Sequence, residues 1–150
     1  MTNAEKMLLA EVAWKENRRG QIPGMTSIIN VVQNRVKKHG ASIESIIMAP
    51  FQFTSMSVKS DPEYGIDPAK STGIDAIAWD VAQELAFDAS AGTLNDLTNG
   101  ATLYYAPNSI RTHKNITLPS GEVVPFPLTW NPKAVKYAAT IAGQIFFTSV

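Results

Sequence analysis

The spacing of apolar residues changes along the chain, and this change constrains the fold more than any other feature of the sequence. Up to about residue 90, apolar residues recur every three or four positions, as in Met25, Ile28, Ile29, Val32 and Val36. That spacing is typical of amphipathic helices. Beyond that point, apolar residues fall in short segments separated by turn residues, as in strands. Helices followed by strands predict an α+β domain.

The boundaries of these elements follow from capping and turn residues. We predict helices over Ala4–Asn17, Gly24–Lys38, Ser42–Met48 and Gly73–Ser90, with Gly20 as the left-handed residue that ends the first. We predict a brief strand at Phe51–Thr54, a strand at Ala101–Tyr105, a hairpin of Ile116–Leu118 and Val123–Val124 around Pro119–Glu122, and a β-prone segment at Ala139–Phe147. Ser55–Thr72 reads as a long surface loop, which in a compact domain is usually functional or mobile.

Length and charge limit the function classes. A chain of 150 residues with 45% hydrophobic content forms one domain, residues 1–150, that can bury a core unaided. Thirteen basic residues balance thirteen acidic ones, which argues against a nucleic-acid partner, and we expect a monomer. Two local basic clusters remain, Lys15, Arg18 and Arg19, and Arg35, Lys37 and Lys38. They are either solvated helix faces or contacts for an anionic polymer.

The residues available for catalysis are few. The chain has no cysteine, and its two histidines, His39 and His113, are far apart without ligand spacing, so we expect no metal and no cofactor. A Ser-His-Asp apparatus is also disfavoured, because no Gly-x-Ser-x-Gly elbow is present. Carboxylates are the remaining candidates for acid–base chemistry.

The first residues do not resemble a targeting segment. Met1–Lys6 is polar and the apolar stretch Met7–Ala10 is too short for the core of a signal peptide. No stretch is long enough to span a membrane. We therefore expect synthesis in the cytoplasm without a signal peptide and no membrane insertion.

Glu16 has the most unusual setting among the carboxylates. It lies at the end of the first predicted helix, two residues after Trp14 and beside Asn17. A glycosidase acid has to carry its proton when substrate arrives, and aromatic cover and a helix C-terminus both favour that neutral form. The competing interpretation is a surface glutamate within the basic cluster of Lys15 and Arg18.

Four segments together carry a family resemblance. They are Trp14-Lys15-Glu16-Asn17-Arg18-Arg19-Gly20-Gln21-Ile22-Pro23-Gly24 with the later Gln33-Asn34-Arg35-Val36, then Pro50-Phe51-Gln52-Phe53-Thr54-Ser55, then Asn99-Gly100-Ala101-Thr102-Leu103-Tyr104-Tyr105-Ala106-Pro107, and finally Gly143-Gln144-Ile145-Phe146-Phe147. In this order they resemble the spore-cortex-lytic, SleB-type cell-wall hydrolase family. The spacing agrees, with eight positions from Glu16 to Gly24 and eighteen from Glu16 to Asn34.

The resemblance implies a lysozyme-like fold of the lytic-transglycosylase type and a peptidoglycan substrate. It implies cleavage of the β-1,4 bond between N-acetylmuramic acid and N-acetylglucosamine, with Glu16 as the single catalytic acid/base. The candidate substrate-binding residues are Gln52, Thr54, Tyr104, Tyr105 and Trp130. Of the two tyrosines, one should face inward and one outward, since neighbours alternate along a strand. For Tyr104, Tyr105 and Trp130 packing is the alternative role, and for Gln52 simple exposure to water.

Three residues depart from the family pattern. Lys15 replaces a small residue beside the acid, and we expect its ammonium to point outward. Leu103 and Gln144 stand where histidines are frequent.

Two other functions stay open. One is a hydrolytic muramidase, which needs a second carboxylate; Asp61, Glu63 and Asp67 in the long loop are the candidates, unless they are merely solvated loop charges. The other is a wall-binding or phage structural module that keeps the fold without activity. In each case the expected place of action is the bacterial cell wall, as a phage lysin or an exported enzyme.

Overall fold

The computed structural model describes residues 1–150 and has five α-helices followed by five strands. The helices are α1 (Asn3–Asn17), α2 (Gln21–His39), α3 (Ile43–Met48), α4 (Thr54–Ser57) and α5 (Gly73–Ala91). The strands are β1 (Leu103–Tyr105), β2 (His113–Thr117), β3 (Val123–Pro127), β4 (Val135–Ile141) and β5 (Gln144–Ser149). This order confirms the predicted α+β class. None of the helices is long and apolar enough to cross a membrane.

The helices enclose the larger core. It contains nineteen buried residues, drawn mainly from α1, α2 and α5, which pack against one another. The rings of Trp14 and Trp79 meet edge to face at 6.5 Å, and the Trp14 indole donates a hydrogen bond to the backbone oxygen of Asp75 at 2.9 Å. Trp79 is therefore a core residue. The C-terminal end of α1 is thus held firmly against α5.

The strands form two antiparallel sheets. β1, β5 and β4 form a three-stranded sheet in that order, and β2 pairs with β3 as a separate hairpin. A second core lies on one face of the larger sheet and is built around Tyr105, Phe126 and Phe147. The other face places Phe146 and Ala101 against Val31 of α2. The sheet therefore lies between the helical core and the β2–β3 hairpin.

The predicted strand at Phe51–Thr54 is wrong. Residues 50–52 form a turn, in which Phe51 has a φ of 61° and is 78% exposed, and α4 begins at Thr54. Only Phe53 is buried, so the aromatic alternation does not mark one buried face of a strand. The long loop is also shorter than predicted, because α4 continues to Ser57 and Pro68–Lys70 form a 3-10 turn.

Several other details differ from the sequence-based predictions. The segment Ala139–Phe147 is not one strand, because Ala142 and Gly143 turn the chain with φ angles of 48° and 80° between β4 and β5. Helix α2 begins at Gln21, since Pro23 is compatible with a first helical turn. Gly20 has a φ of −74° and is not left-handed.

Candidate active site

Glu16 lies on the last turn of α1, half-buried, and both of its carboxylate oxygens are hydrogen-bonded. The hydroxyl of Ser55 donates to Oε2 and the hydroxyl of Tyr104 donates to Oε1, each at 2.5 Å. The three residues come from α1, α4 and β1, so distant segments of the chain meet at one carboxylate. Tyr104, one of the two tyrosines named as candidate substrate-binding residues, therefore contacts Glu16 directly.

Tyr104 is held in place by aromatic neighbours. Its ring stacks on Phe146 at 5.6 Å and lies 6.4 Å from the ring of Phe53. Burial of the hydroxyl raises the pKa of Tyr104 well above its usual value, and the negative charge of Glu16 and the hydrogen bond to it act in the same direction. Tyr104 therefore remains a neutral hydrogen-bond donor toward Glu16 at neutral pH.

The segment that carries Tyr104 is tied to α2 by two consecutive residues. Asn34 donates through Nδ2 to the backbone oxygen of Ala101 at 3.0 Å, and Arg35 donates through Nε to that of Thr102 at 2.7 Å. These bonds satisfy backbone oxygens just before β1. Asn34 and Arg35, which belong to the first of the four segments, thus fix the strand that presents Tyr104.

Arg35 is a site residue that the sequence-based interpretation assigned to a basic surface cluster. It is only 9% exposed, its guanidinium lies 5.1 Å from the centre of the Phe53 ring, and its Nη1 is buried without a hydrogen-bond partner. Burial lowers the pKa of Arg35, while the negative charge of Glu16 opposes that shift. Arg35 therefore supplies positive charge near the Glu16 carboxylate.

The turn after Glu16 is fixed by Asn17. Its Oδ1 accepts from the backbone N–H of Gly20 at 3.1 Å, and its Nδ2 donates to Gln144 of β5 at 3.0 Å. A Cβ at Gly20 or Gly24 would come within 2.7 Å or 2.9 Å of the Asn17 side chain. Both positions therefore need glycine for close packing. Gln144, which stands in place of a family histidine, anchors this turn.

A cavity of about 260 Å³ opens beside Glu16. Its other lining residues are polar or charged: Lys15, Asn17, Arg18, Arg19 and Glu63. The expectation that Lys15 points outward is wrong, because its side chain is only 5% exposed. Its ammonium lies 3.7 Å from Glu11, one helical turn earlier, so it forms an ion pair within α1.

Glu63 is the second carboxylate at this cavity. Its Oε1 lies 2.8 Å from Arg18, which also pairs with Asp75 at 3.1 Å, and its Oε2 is buried without a partner. The other two loop carboxylates are elsewhere. Asp61 accepts a hydrogen bond from Thr54, and Asp67 caps the turn at Pro68–Lys70 and lines a different cavity.

The remaining predicted site residues are spread over the molecule. Gln52 is exposed and lines a second cavity, of about 440 Å³, which it shares with Arg35. Thr54 is exposed, and its hydroxyl donates to Asp61 at 2.5 Å. Neither Gln52 nor Thr54 lines the cavity beside Glu16 or hydrogen-bonds to its carboxylate.

Tyr105 and Trp130 lie in the second core. Tyr105 donates its hydroxyl hydrogen bond to the backbone oxygen of Pro125 at 2.6 Å, and Trp130 packs edge to face on Tyr105 at 5.4 Å. The expectation that one of the two tyrosines faces outward is wrong, since Tyr105 is buried on the opposite face of β1 from Tyr104. Both residues therefore pack the hairpin against the sheet, away from Glu16.

No group of three or more histidine, aspartate or glutamate side chains is arranged to bind a metal ion.

Comparison with known proteins gives one family. A family model described as Cell Wall Hydrolase matches residues 20–125. The matched segment contains Arg35, Ser55 and Tyr104 and begins four residues after Glu16. No curated protein and no solved structure matches the chain.

Proposed function

We propose that this chain, which belongs to the cell wall hydrolase family, cleaves the β-1,4 bond between N-acetylmuramic acid and N-acetylglucosamine by lytic transglycosylation. Family membership indicates that the chain is an enzyme of cell-wall degradation that acts on peptidoglycan. The proposed bond and mechanism are supported by Glu16, a carboxylate that accepts hydrogen bonds from two fixed hydroxyl groups.

In the first step Glu16 acts as a general acid. Its carboxyl proton passes to the glycosidic oxygen while the bond from that oxygen to C1 of the muramyl residue breaks. Glu16 is left as a carboxylate, and C1 carries positive character. The hydroxyls of Ser55 and Tyr104 can then each donate to one oxygen of the new carboxylate, which stabilises its charge.

In the second step the same carboxylate acts as the base. It takes the proton of the muramyl C6 hydroxyl, whose oxygen attacks C1 and closes a 1,6-anhydro ring. The proton is back on Glu16 at the end, and no water is consumed. An internal hydroxyl has a high effective molarity, so a separate base that activates water is not required.

Ser55 and Tyr104 are proposed to orient Glu16 between these steps. Tyr104 is fixed by its stacking on Phe146, and Ser55 is buried on α4. Such fixed donors act without reorganisation when charge develops on the carboxylate. A non-catalytic wall-binding module has no need for this arrangement, which argues against that alternative.

We further propose that the helical core and the sheet form a lysozyme-like arrangement of the lytic-transglycosylase type, with Glu16 at their boundary. The contacts from α1 to α4 and β1 at Glu16 support it, because they put the acid where the helical and strand-rich parts meet. We propose that the enzyme acts on the bacterial wall as a phage lysin or an exported enzyme.

A hydrolytic muramidase is the second candidate, and one observation favours it. Glu63 lines the same cavity as Glu16 and has a buried oxygen without a partner. A carboxylate in that position could activate a water molecule. Its other oxygen is bound by Arg18, however, and the Arg18–Asp75 pair makes this part of a supporting network. We therefore prefer transglycosylation.

The bond that is cut can be read from the fragments. Purified peptidoglycan free of teichoic acid is digested, and the disaccharide products are identified by mass spectrometry. We expect muramic acid at the newly formed end of each fragment. Fragments that end in N-acetylglucosamine, or release of free peptides alone, would contradict the proposed bond.

A further inference from the structure

We propose that the cavity lined by Gln52, Arg35, Lys38 and His39 binds a carboxylate of the peptide stem carried by peptidoglycan. The inference rests on the proposed function and deepens it, because it assigns a second part of the substrate to a second cavity. This cavity, of about 440 Å³, is called the stem cavity below.

The ionisable side chains that line the stem cavity are all basic. Arg35, Lys38 and His39 line it together with the polar side chains of Gln52, Thr102 and Ser149, and no aspartate or glutamate does. Lys38 and His39 are exposed at the C-terminal end of α2, and the ammonium of Lys38 contacts the hydroxyl of Ser149 on β5. A concave surface lined by charges of one sign attracts ligands of the opposite sign.

Arg35 provides the second, independent observation. It lines the stem cavity, only 9% of it is exposed, and its Nη1 has neither a hydrogen-bond partner nor contact with solvent. An anion in the cavity therefore acts on this buried charge through space rather than by a hydrogen bond to Nη1, and it offsets part of the cost of burying the guanidinium. The carboxylate of Glu16 is near enough to act on Arg35, yet it is already hydrogen-bonded by Ser55 and Tyr104.

The position of the stem cavity explains why its ligand should belong to the glycan substrate. Leu103, which lines it, precedes Tyr104, whose hydroxyl contacts Glu16, and Arg35 lies between the two regions. Glycan chains carry neutral acetamido and hydroxyl groups, whereas the peptide attached to the muramyl residue carries free carboxylates. A muramyl residue bound at Glu16 would therefore bring the carboxylates of its peptide close to the stem cavity.

The experiment compares two substrates that differ only in the stem. Teichoic-acid-free peptidoglycan is used with its peptides and after their removal by an amidase, so that no phosphate is present in either. The amidase frees the lactyl carboxyl group of each muramyl residue, so this group is then converted to a neutral methylamide in the stripped glycan. The variants are Lys38→Gln with His39→Gln, and Lys37→Gln as a matched control, because Lys37 is exposed on the same helix but does not line the cavity.

We expect the double variant to lose roughly five- to ten-fold in kcat/KM on the stem-bearing substrate, mainly through KM, as for charge-assisted contacts at a partly exposed site. On stripped glycan its kcat/KM should change by less than about two-fold, as should that of Lys37→Gln on both substrates. An equal loss on both substrates, or no loss on either, would contradict the proposal that the stem cavity binds a carboxylate of the peptide.

Direct binding separates this inference from the proposed function. The wild type is titrated with a muramyl tripeptide, which has no glycosidic bond to cleave, and with a neutral N-acetylglucosamine oligomer. We expect the double variant to weaken binding of the tripeptide and leave that of the oligomer unchanged. If the wild type cleaves neither substrate but this binding difference is found, the proposed function is wrong, whereas the proposed binding of the peptide in the stem cavity is supported. If the double variant binds the tripeptide as the wild type does, the stem cavity does not bind the peptide, whatever the activity.

Discussion

The hydroxyl of Tyr104 lies 2.5 Å from Oε1 of Glu16, across a sequence separation of 88 residues. One group belongs to the end of α1 and the other to β1, so the contact joins the helical core to the sheet at the proposed catalytic carboxylate. The stacking of Tyr104 on Phe146 restricts how far the hydroxyl can move. Tyr104 thus couples the position of the acid to the packing of the sheet.

Replacing Tyr104 by phenylalanine should test that coupling. We expect kcat on purified peptidoglycan to fall about ten- to one-hundred-fold, because one hydrogen bond to the charged carboxylate is lost. The ring contacts with Phe146 and Phe53 are retained, so the thermal midpoint should change little. A variant with the kcat of the wild type would show that Glu16 does not depend on this hydroxyl.

Glu16→Gln should abolish wall lysis and leave the thermal midpoint nearly unchanged or raised. A half-buried acid kept for catalysis costs stability, and the amide removes its charge while keeping its shape. Turbidity loss of a wall suspension and thermal unfolding measure the two effects. Glu11→Gln is the control on the same helix: it removes the partner of the buried Lys15, so its thermal midpoint should fall, but it should keep most of the lytic activity. Activity of Glu16→Gln above about a tenth of wild type would move the catalytic role elsewhere.

Chelators should leave activity intact. The proposed mechanism uses only the proton of Glu16 and the substrate's own hydroxyl, and the chain offers neither cysteine nor clustered histidine as ligands for a transition metal. Wall lysis is compared before and after dialysis against EDTA. Activity that disappears with EDTA and returns with zinc would require a different mechanism.

The free energy of unfolding should fall at alkaline pH, because the buried Tyr105 has to lose its proton. Burial raises the pKa of Tyr105 from 10 to about 12. The neutral form is favoured in the folded state, so this stabilisation is complete below about pH 10 and is lost as the pH rises toward about 12. Thermal midpoints over that range should drop more steeply for the wild type than for Tyr105→Phe. Parallel curves would show that Tyr105 does not contribute.

The sequence predicted the parts of the site that lie on strongly patterned elements. Glu16 ends a helix with a clear capping residue, Thr2, and Tyr104 lies in a short segment of strand-forming residues, so both could be placed before the fold was known. Ser55 could not, because its contact with Glu16 depends on tertiary packing across 39 residues. The aromatic alternation before it also suggested a strand where a turn and α4 occur.

Arg35 was missed for a different reason. Charged residues are usually exposed, and Arg35 stands near Lys37 and Lys38, which are. The signal that could have identified it is its position three residues after Val32, on the apolar stripe of α2. A basic residue on a buried stripe needs polar or oppositely charged partners. Here these are the backbone oxygen of Thr102, just before β1, and the negative charge of Glu16.

The source of the oxygen in the product tests the proposed mechanism most directly. Purified peptidoglycan is digested in heavy-oxygen water, and the muramyl ends are analysed by mass spectrometry. With Glu16 serving the C6 hydroxyl, we expect 1,6-anhydro-N-acetylmuramic acid ends without heavy oxygen. Neutralising Asp61, Glu63 and Asp67 together should then cause only a modest loss of activity. Labelled reducing ends as the main product, with activity abolished in that triple variant, would contradict transglycosylation and make Glu63, the loop carboxylate at the Glu16 cavity, the first candidate for the base that activates water.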